Sequence, residues 1–264
     1  VTKTTSKLTE SEINGILTVL NGTFNYWGDR DTFYWKYYEN PFGESLHIIA
    51  YDGTEGVGSV SFWRNDIENL RSYQCVDLAV LPTHRRKNIF SKMIGVAERY
   101  LDDSYIYTFP GGYSRPGFLK LGWSVKRRMR ISAQLTKVIL GRHENNQPLP
   151  DEFVRWRFIK HPSTQYYFCE MNGRPYLITQ RRKNIYAVGG GLSERFGLPK
   201  VNPWLMLSYD YLHIPFCIPG KGGYILENTC YKTLDNSIPS YYADTFWSGR
   251  YYISLLVNNS HHIH

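Results

Sequence analysis

The sequence predicts a mixed α/β fold of the α+β kind, built from two halves of unequal clarity. Three observations predict it. The run Val76-Asp77-Leu78-Ala79-Val80-Leu81-Pro82-Thr83-His84-Arg85-Arg86-Lys87-Asn88-Ile89-Phe90-Ser91-Lys92-Met93 reads as a buried strand, a short basic turn and the start of an amphipathic helix. Around it, from residue 8 to residue 135, apolar spacing alternates between helical and strand periods. The remainder carries a fainter echo of the same pattern.

The elements follow in order. Residues 8–26 read as a helix, with Thr9, Ser11 and Glu12 crowding its start and Ile13, Ile16, Leu17 and Leu20 at helical spacing. Residues 31–39 read as a second, short helix, broken before Pro41. Leu46–Tyr51 and Gly56–Trp63 read as strands around the turn Asp52-Gly53. Ser72–Val80 is a third strand, and 89–101 the helix after the basic turn. Tyr105–Phe109 is a strand, 115–121 a helix stopped by Gly122, and Val125–Leu135 a further strand.

Trp35-Lys36, Pro41 and Tyr51-Asp52-Gly53 are echoed by Trp156-Arg157, Pro162 and Met171-Asn172-Gly173. In both places an apolar strand, a polar-Gly turn and another strand follow, the second pair being Tyr166–Glu170 and Pro175–Thr179. The echo suggests an old duplication. Gly189-Gly190-Gly191 has no strand–GxGxxG–helix context, so it is not read as a nucleotide fingerprint. Residues 141–150 are polar and Pro-containing and read as a linker. The expected division is 1–140 for the first half and 146–264 for the second.

Composition narrows the function classes. The chain has 264 residues, 42% of them hydrophobic, ample for a core. No apolar run approaches the roughly 18 residues of a membrane span. Val1-Thr2-Lys3-Thr4-Thr5-Ser6-Lys7 is polar, so no secretory signal is expected. The formal net charge of +8 favours an anionic partner. Basic residues cluster at Arg85-Arg86-Lys87, Lys126-Arg127-Arg128 and Arg181-Arg182-Lys183, and no nucleic-acid reader motif accompanies them, so no nucleic-acid partner is expected. Cys75, Cys169, Cys217 and Cys230 form no Cys-x-x-Cys pair, which argues against zinc or redox chemistry and for a reducing, cytoplasmic setting. Cys75, within an apolar strand, is expected to be a buried thiol. No metal role is expected for His261-His262-Ile263-His264. Aromatics make up 16% of the chain, which fits either a strand-rich core or a cleft that stacks on rings.

The basic turn carries the chemistry. It sets backbone N–H groups and the side chains of His84 to Lys87 at a helix N-terminus. The first amides there lack intrahelical partners and the helix dipole favours negative charge, so a pyrophosphate is the natural guest.

On these residues the chain resembles the GCN5-related N-acetyltransferases. Val80-Leu81-Pro82 matches the strand end of the family's acetyl-CoA signature, and Arg85-Arg86-Lys87-Asn88-Ile89-Phe90 its pyrophosphate loop. Asn88 stands where a central Gly is usual, and Asn tolerates the left-handed backbone required there. Phe90 stands where a small residue is usual. Downstream, Phe118, Lys120, Gly122 and Trp123 fill the aromatic-x-Lys-x-Gly-aromatic pattern that ends the family's next helix. The resemblance covers residues 10–135.

The resemblance implies a mixed sheet splayed near its middle and acetyl-CoA as cosubstrate. It implies that the backbone of Leu78, Ala79 and Val80 meets the thioester. The amides of Arg86, Lys87, Asn88, Ile89, Phe90 and Ser91 would hold the pyrophosphate, helped by the side chains of Arg85, Arg86 and Lys87. Asp77, on the strand beside the thioester, is the candidate general base. Phe118 occupies the place of the family's usual Tyr acid, so Tyr113 and Ser114, with Tyr107, are the substitute acids. The acceptor implied is a small-molecule amine. An amino sugar, nucleotide-linked and used in surface polysaccharide synthesis, is suggested by Asn40-Pro41-Phe42-Gly43, Ile89-Phe90-Ser91 and the Phe109-Pro110 to Ser114 stretch. The second half reads as a degenerate copy that walls the acceptor cleft. Two alternatives stay open: an acyl or aminoacyl transferase with another donor, and a ligand-binding module that has lost the chemistry.

Overall fold

The computed structural model describes residues 2–67, 70–135, 149–171, 173–209 and 218–228. The linker read over 141–150 lies outside them apart from Leu149 and Pro150, and Cys217, Cys230 and His261–His264 lie wholly outside.

In chain order the elements are β1 (Thr2–Thr5), α1 (Glu10–Phe24), α2 (Arg30–Tyr37), β2 (Leu46–Asp52), β3 (Glu55–Arg64), β4 (Ser72–Val80), α3 (Ile89–Tyr100), β5 (Tyr105–Thr108), α4 (Arg115–Lys120) and β6 (Ser124–Leu135). Then come α5 (Asp151–Val154), continued by a π-helical turn at Arg155–Ile159, and β7 (Tyr167–Met171), β8 (Arg174–Arg182), β9 (Ile185–Gly191), β10 (Leu205–Tyr209) and β11 (Ile218–Asn228). Among the described residues no helix is long and apolar enough to cross a membrane.

Two compact units form: Val1–Arg127 with Tyr224–Ser237, and Arg128–Gly223 with Ile238–His264. This grouping differs from a cut at 1–140 and 146–264 by the exchange of one strand. Hydrogen bonding is the reason: Leu226, Glu227 and Asn228 of β11 pair antiparallel with β5, and Ile131–Leu135 of β6 pair antiparallel with β10.

The first unit orders its strands β1-β2-β3-β4-β5-β11. All neighbours are antiparallel except β4 and β5, which run parallel. Helix α1 begins with a reciprocal capping box, Thr9 and Glu12 each bonding the other's backbone amide. Helix α2 is capped by Asp29, whose side chain accepts from the Thr32 N–H at 2.9 Å. The apolar face of α3, Met93, Ile94 and Ala97, packs on Ile48, Val57, Val60 and Phe62 of the sheet. Strand β1 is a polar Thr-rich segment that periodicity does not flag; it forms by extending the sheet edge against β2.

The second unit orders its strands β6-β10-β9-β8-β7, with β9 and β10 the parallel pair. Read from its hairpin, β7-β8-β9-β10-β6 repeats the pairing directions of β2-β3-β4-β5-β11: antiparallel, antiparallel, parallel, antiparallel. Both hairpins turn on a glycine with positive φ, Gly53 at 60° and Gly173 at 75°. Between β9 and β10 no helix forms where the first unit has α3. The triple glycine lies in β9, where a Cβ on Gly190 would stand 3.0 Å from Leu149 Cδ2, so close packing explains the middle one.

Candidate active site

The site grows from one irregular strand. Tyr73–Cys75 of β4 pair with both neighbours, and the ladder to β5 ends at Cys75 opposite Thr108. Beyond Cys75, β4 continues to Val80 bonded to β3 but, among the described residues, to no strand on its β5 side. There its register to β3 jumps from Val76 opposite Ser61 to Ala79 opposite Ser59. Asp77 and Leu78 are the two residues of this bulge, and Asp77 takes a left-handed backbone with φ 49°. The splay therefore opens at Asp77. The Ser59 hydroxyl, buried opposite, has no hydrogen-bond partner among the described residues.

The Asp77 carboxylate is held by three donors from upstream. Trp27 Nε1 donates to Oδ1 at 2.9 Å, and Lys36 Nζ stands 2.9 Å from Oδ2. The Tyr37 hydroxyl also donates to Oδ2. Lys36 is only 4% exposed, and its ammonium lies 4.9 Å from the Trp63 ring centroid, 5.6 Å from Trp27 and 5.8 Å from Tyr37. Behind this cluster, Tyr37 meets His47 edge-on at 4.8 Å, and His47 Nδ1 bonds Ser61 Oγ at 2.9 Å. Burial pushes the His47 imidazole down to about 3, so it is neutral.

The basic turn follows β4. The Leu81 N–H bonds the Val57 carbonyl at 3.0 Å, and Pro82–His84 makes a single 3-10 turn. His84 Nε2 stands 3.2 Å from Asp52 Oδ2. Arg86 and Asn88 both take left-handed backbone, at φ 64° and 58°. Asn88 precedes α3 without a side-chain cap, and the Lys92 N–H to Asn88 carbonyl bond is the one that opens the helix. The amides of Ile89, Phe90 and Ser91 thus precede the first helical bond. Arg85, Arg86, Lys87 and Asn88 are exposed, and among the described residues no carboxylate pairs with Arg86 or Lys87. Arg85 Nε donates to the Val80 carbonyl at 3.3 Å. Gly58 lets α3 approach: a Cβ there would stand 3.1 Å from Ile89 Cγ2.

Phe90 is accommodated from across the gap. Its ring meets Phe118 at 5.1 Å and would lie 2.8 Å from a Cβ on Gly117. Phe118 is buried at 2% exposure against Trp123. Tyr113 is fully exposed, and the Ser114 hydroxyl donates to the Gly111 carbonyl at 3.3 Å. No hydrogen bond links Tyr113 or Ser114 to Asp77 among the described residues. Tyr107 is buried in β5. Asp77, Leu78–Val80 and Arg85–Ser91 thus share one strand–turn–helix, while Tyr113 and Ser114 sit on the separate loop into α4.

Pattern reading missed Trp27, Lys36 and Tyr37. A signal was present: Trp35-Lys36-Tyr37 ends α2, and all three are buried. A lysine within a buried aromatic triplet requires a buried counter-charge. Among the described residues no group of three or more His, Cys, Asp or Glu is gathered to hold a metal.

The sequence matches no protein-family model and no curated protein. Its fold is nonetheless that of solved GCN5-related N-acetyltransferases. One from Anabaena variabilis superposes with a TM-score of 0.60 at 12% identity, covering 88% of this chain and 74% of the other. One from Kribbella flavida gives 0.58 at 12% identity, covering 86% and 71%. A candidate acetyltransferase from Pyrococcus horikoshii gives 0.53 at 10% identity, covering 92% and 93%.

Proposed function

We propose that this chain is an acetyl-CoA-dependent N-acetyltransferase acting on the primary amine of a small molecule. The observation that carries the reading is the junction of two features in one segment. A parallel strand pair parts at the Asp77 bulge, and eight residues later an exposed, left-handed basic turn opens a helix. The first offers backbone polar groups to a thioester, and the second amides and cations to a diphosphate. The residues present fit the donor: among the described residues no carboxylate pairs with Arg86 or Lys87, and the turn already has left-handed backbone at Arg86 and Asn88.

In this reading the acceptor nitrogen attacks the thioester carbonyl, the C–N bond forms as the C–S bond breaks, and CoA leaves as its thiol. Leu78, Ala79 and Val80 orient the carbonyl. Asp77 accepts an N–H of the amine. Tyr113 and Ser114 are the acids within the neighbouring loop. An amino sugar, nucleotide-linked, is the acceptor class we favour. The second unit is read as a diverged second copy: it repeats the pairing directions of the first, and between β9 and β10, where the first unit has α3, no helix forms among the described residues.

A second reading, a CoA-binding module without turnover, is favoured by one observation. Phe118, where the family's acid would stand, is buried and has no proton to give. Two measurements separate the readings. Acetyl-CoA should raise the melting temperature. Thiol release in the presence of amino sugars should then identify an enzyme, and binding without release a module. Asn88→Pro, which forces φ negative at a position with φ 58°, should weaken acetyl-CoA binding at least tenfold. Unchanged binding would remove the turn from the site.

A further inference from the structure

Asp77 combines two costs at one residue. It is an L-residue in left-handed backbone, and its carboxylate is 10% exposed. Its counter-charge, Lys36, is equally withdrawn from water, at 5% side-chain exposure. A buried ion pair is a poor stability device, since an apolar pair of similar volume usually serves as well or better. Left-handed backbone at a non-glycine residue points the same way, because such strain collects where function requires it. Both costs fall where β4 leaves β5.

The wiring is directional. Among the described residues the three partners of Asp77 are all donors: the Trp27 indole, the Tyr37 hydroxyl and the Lys36 ammonium. A carboxylate has about four acceptor positions, so among the described residues one is left open, on Oδ1. The Lys36 ammonium is itself confined by the rings of Trp63, Trp27 and Tyr37. It belongs to α2, next to Tyr37, so one short helix supplies two of the three donors.

We propose that Lys36 and Tyr37 are positioning residues for the transfer: together they fix the Asp77 carboxylate at the mouth of the splay, with its one remaining acceptor position for the incoming amine. Neither touches the reacting atoms. The proposal rests on the transferase reading above and assigns the residues that make Asp77 a fixed acceptor.

The test uses the full chain with Tyr37→Phe, Lys36→Met and Lys36→Arg. Thiol release with acetyl-CoA and a panel of amino sugars and alkylamines gives kcat and KM, and calorimetry gives acetyl-CoA affinity. Tyr37→Phe should lower kcat at least tenfold with acetyl-CoA affinity unchanged. Lys36→Met should lower it further, and Lys36→Arg should recover part of that loss. Wild-type kcat in Tyr37→Phe overturns the proposal, as does a loss matched by an equal loss of acetyl-CoA affinity. Should Lys36→Met fail to fold, Tyr37→Phe, which removes one hydroxyl, decides alone. If wild type binds acetyl-CoA but turns over no amine, the transferase reading fails by itself. A crystal structure of Tyr37→Phe then decides positioning: Asp77 should rotate away from Lys36 or relax its backbone, and an unmoved Asp77 overturns the proposal.

Discussion

Lowering the pH from 7 to 5 should cost this protein about 2 kcal/mol through His47 alone. The imidazole lies on β2 at 2% exposure, between the Phe33 ring at 5.6 Å and the Tyr37 ring at 4.8 Å, with Ser61 Oγ on its Nδ1. Lys36 and Asp77 gather at the far end of Tyr37, and no carboxylate contacts the imidazole among the described residues. Burial lowers its pKa from 6.5 to about 3. The folded value is therefore depressed, so the unfolded chain binds the extra proton. The stabilisation is fully present above pH 6.5, shrinks as pH falls, and is exhausted near pH 3. At pH 5 the unfolded histidine is about 1.5 pH units below its pKa, and at about 1.4 kcal/mol per unit this gives the 2 kcal/mol. Urea unfolding followed by tryptophan fluorescence at pH 7 and pH 5 measures it, with His47→Gln as the control. Carboxylates titrate alike in both proteins, so wild type should lose about 2 kcal/mol more than the variant. Equal losses would mean that the buried ring takes a proton readily and that this account of the α2–β2 packing is wrong.

Three further outcomes follow from contacts around the site. Gly117→Ala would place a Cβ 2.8 Å from the Phe90 ring and should destabilise by about 1–3 kcal/mol; Phe90→Leu in the same chain should return most of it, whereas additive losses in denaturant melts would contradict the pairing. Glu98 accepts from Trp123 Nε1 at 2.8 Å and Asn228 Nδ2 at 2.7 Å, so Glu98→Ala should cost about 1–3 kcal/mol and hasten proteolytic cleavage near β11; unaltered cleavage would show that β11 is held by its ladder alone. Burial raises the Cys75 thiol well above its ordinary range and that of Cys169 to about 12, so peptide mass spectrometry should find both unalkylated in the native protein after a treatment that saturates the unfolded chain. Rapid native labelling of either would contradict its burial.

The first unit was legible because its elements carry their signals locally. Thr9 and Glu12 announce the start of α1, and Asp52-Gly53 forms the hairpin turn between β2 and β3. The Ser72–Val80 strand falls where alternation and apolarity place it. What stayed hidden was set by pairing between distant segments. Strand β1 has little apolar character and exists because β2 offers an edge. The strand exchange is invisible to periodicity, since β6 and β11 read as strands whichever neighbour they take. It is decided by contacts such as Glu98 with Asn228, 130 residues apart.

The candidate site divides along the same line. The turn at Arg85–Ser91 could be read because an anion site at a helix start is a local object: basic side chains, a left-handed residue and open amides within a few positions. Asn88 is in the conformation that a central glycine would take, which explains why the departure is tolerated. Phe90 could not be rationalised locally, because the residue that accommodates it is Gly117 on another helix. Asp77 presents the sharper case. The one charged residue of its strand, it is marked as a residue with a task, but whether it stands free or bound depends on Tyr37, 40 residues upstream, and Trp27, 50 upstream. A free carboxylate at a splay is a mobile base; one with three donors on it is a fixed acceptor, and its chemistry is then set by α2 as much as by β4. Any account of turnover that treats Asp77 alone therefore omits the residues that decide which way it points.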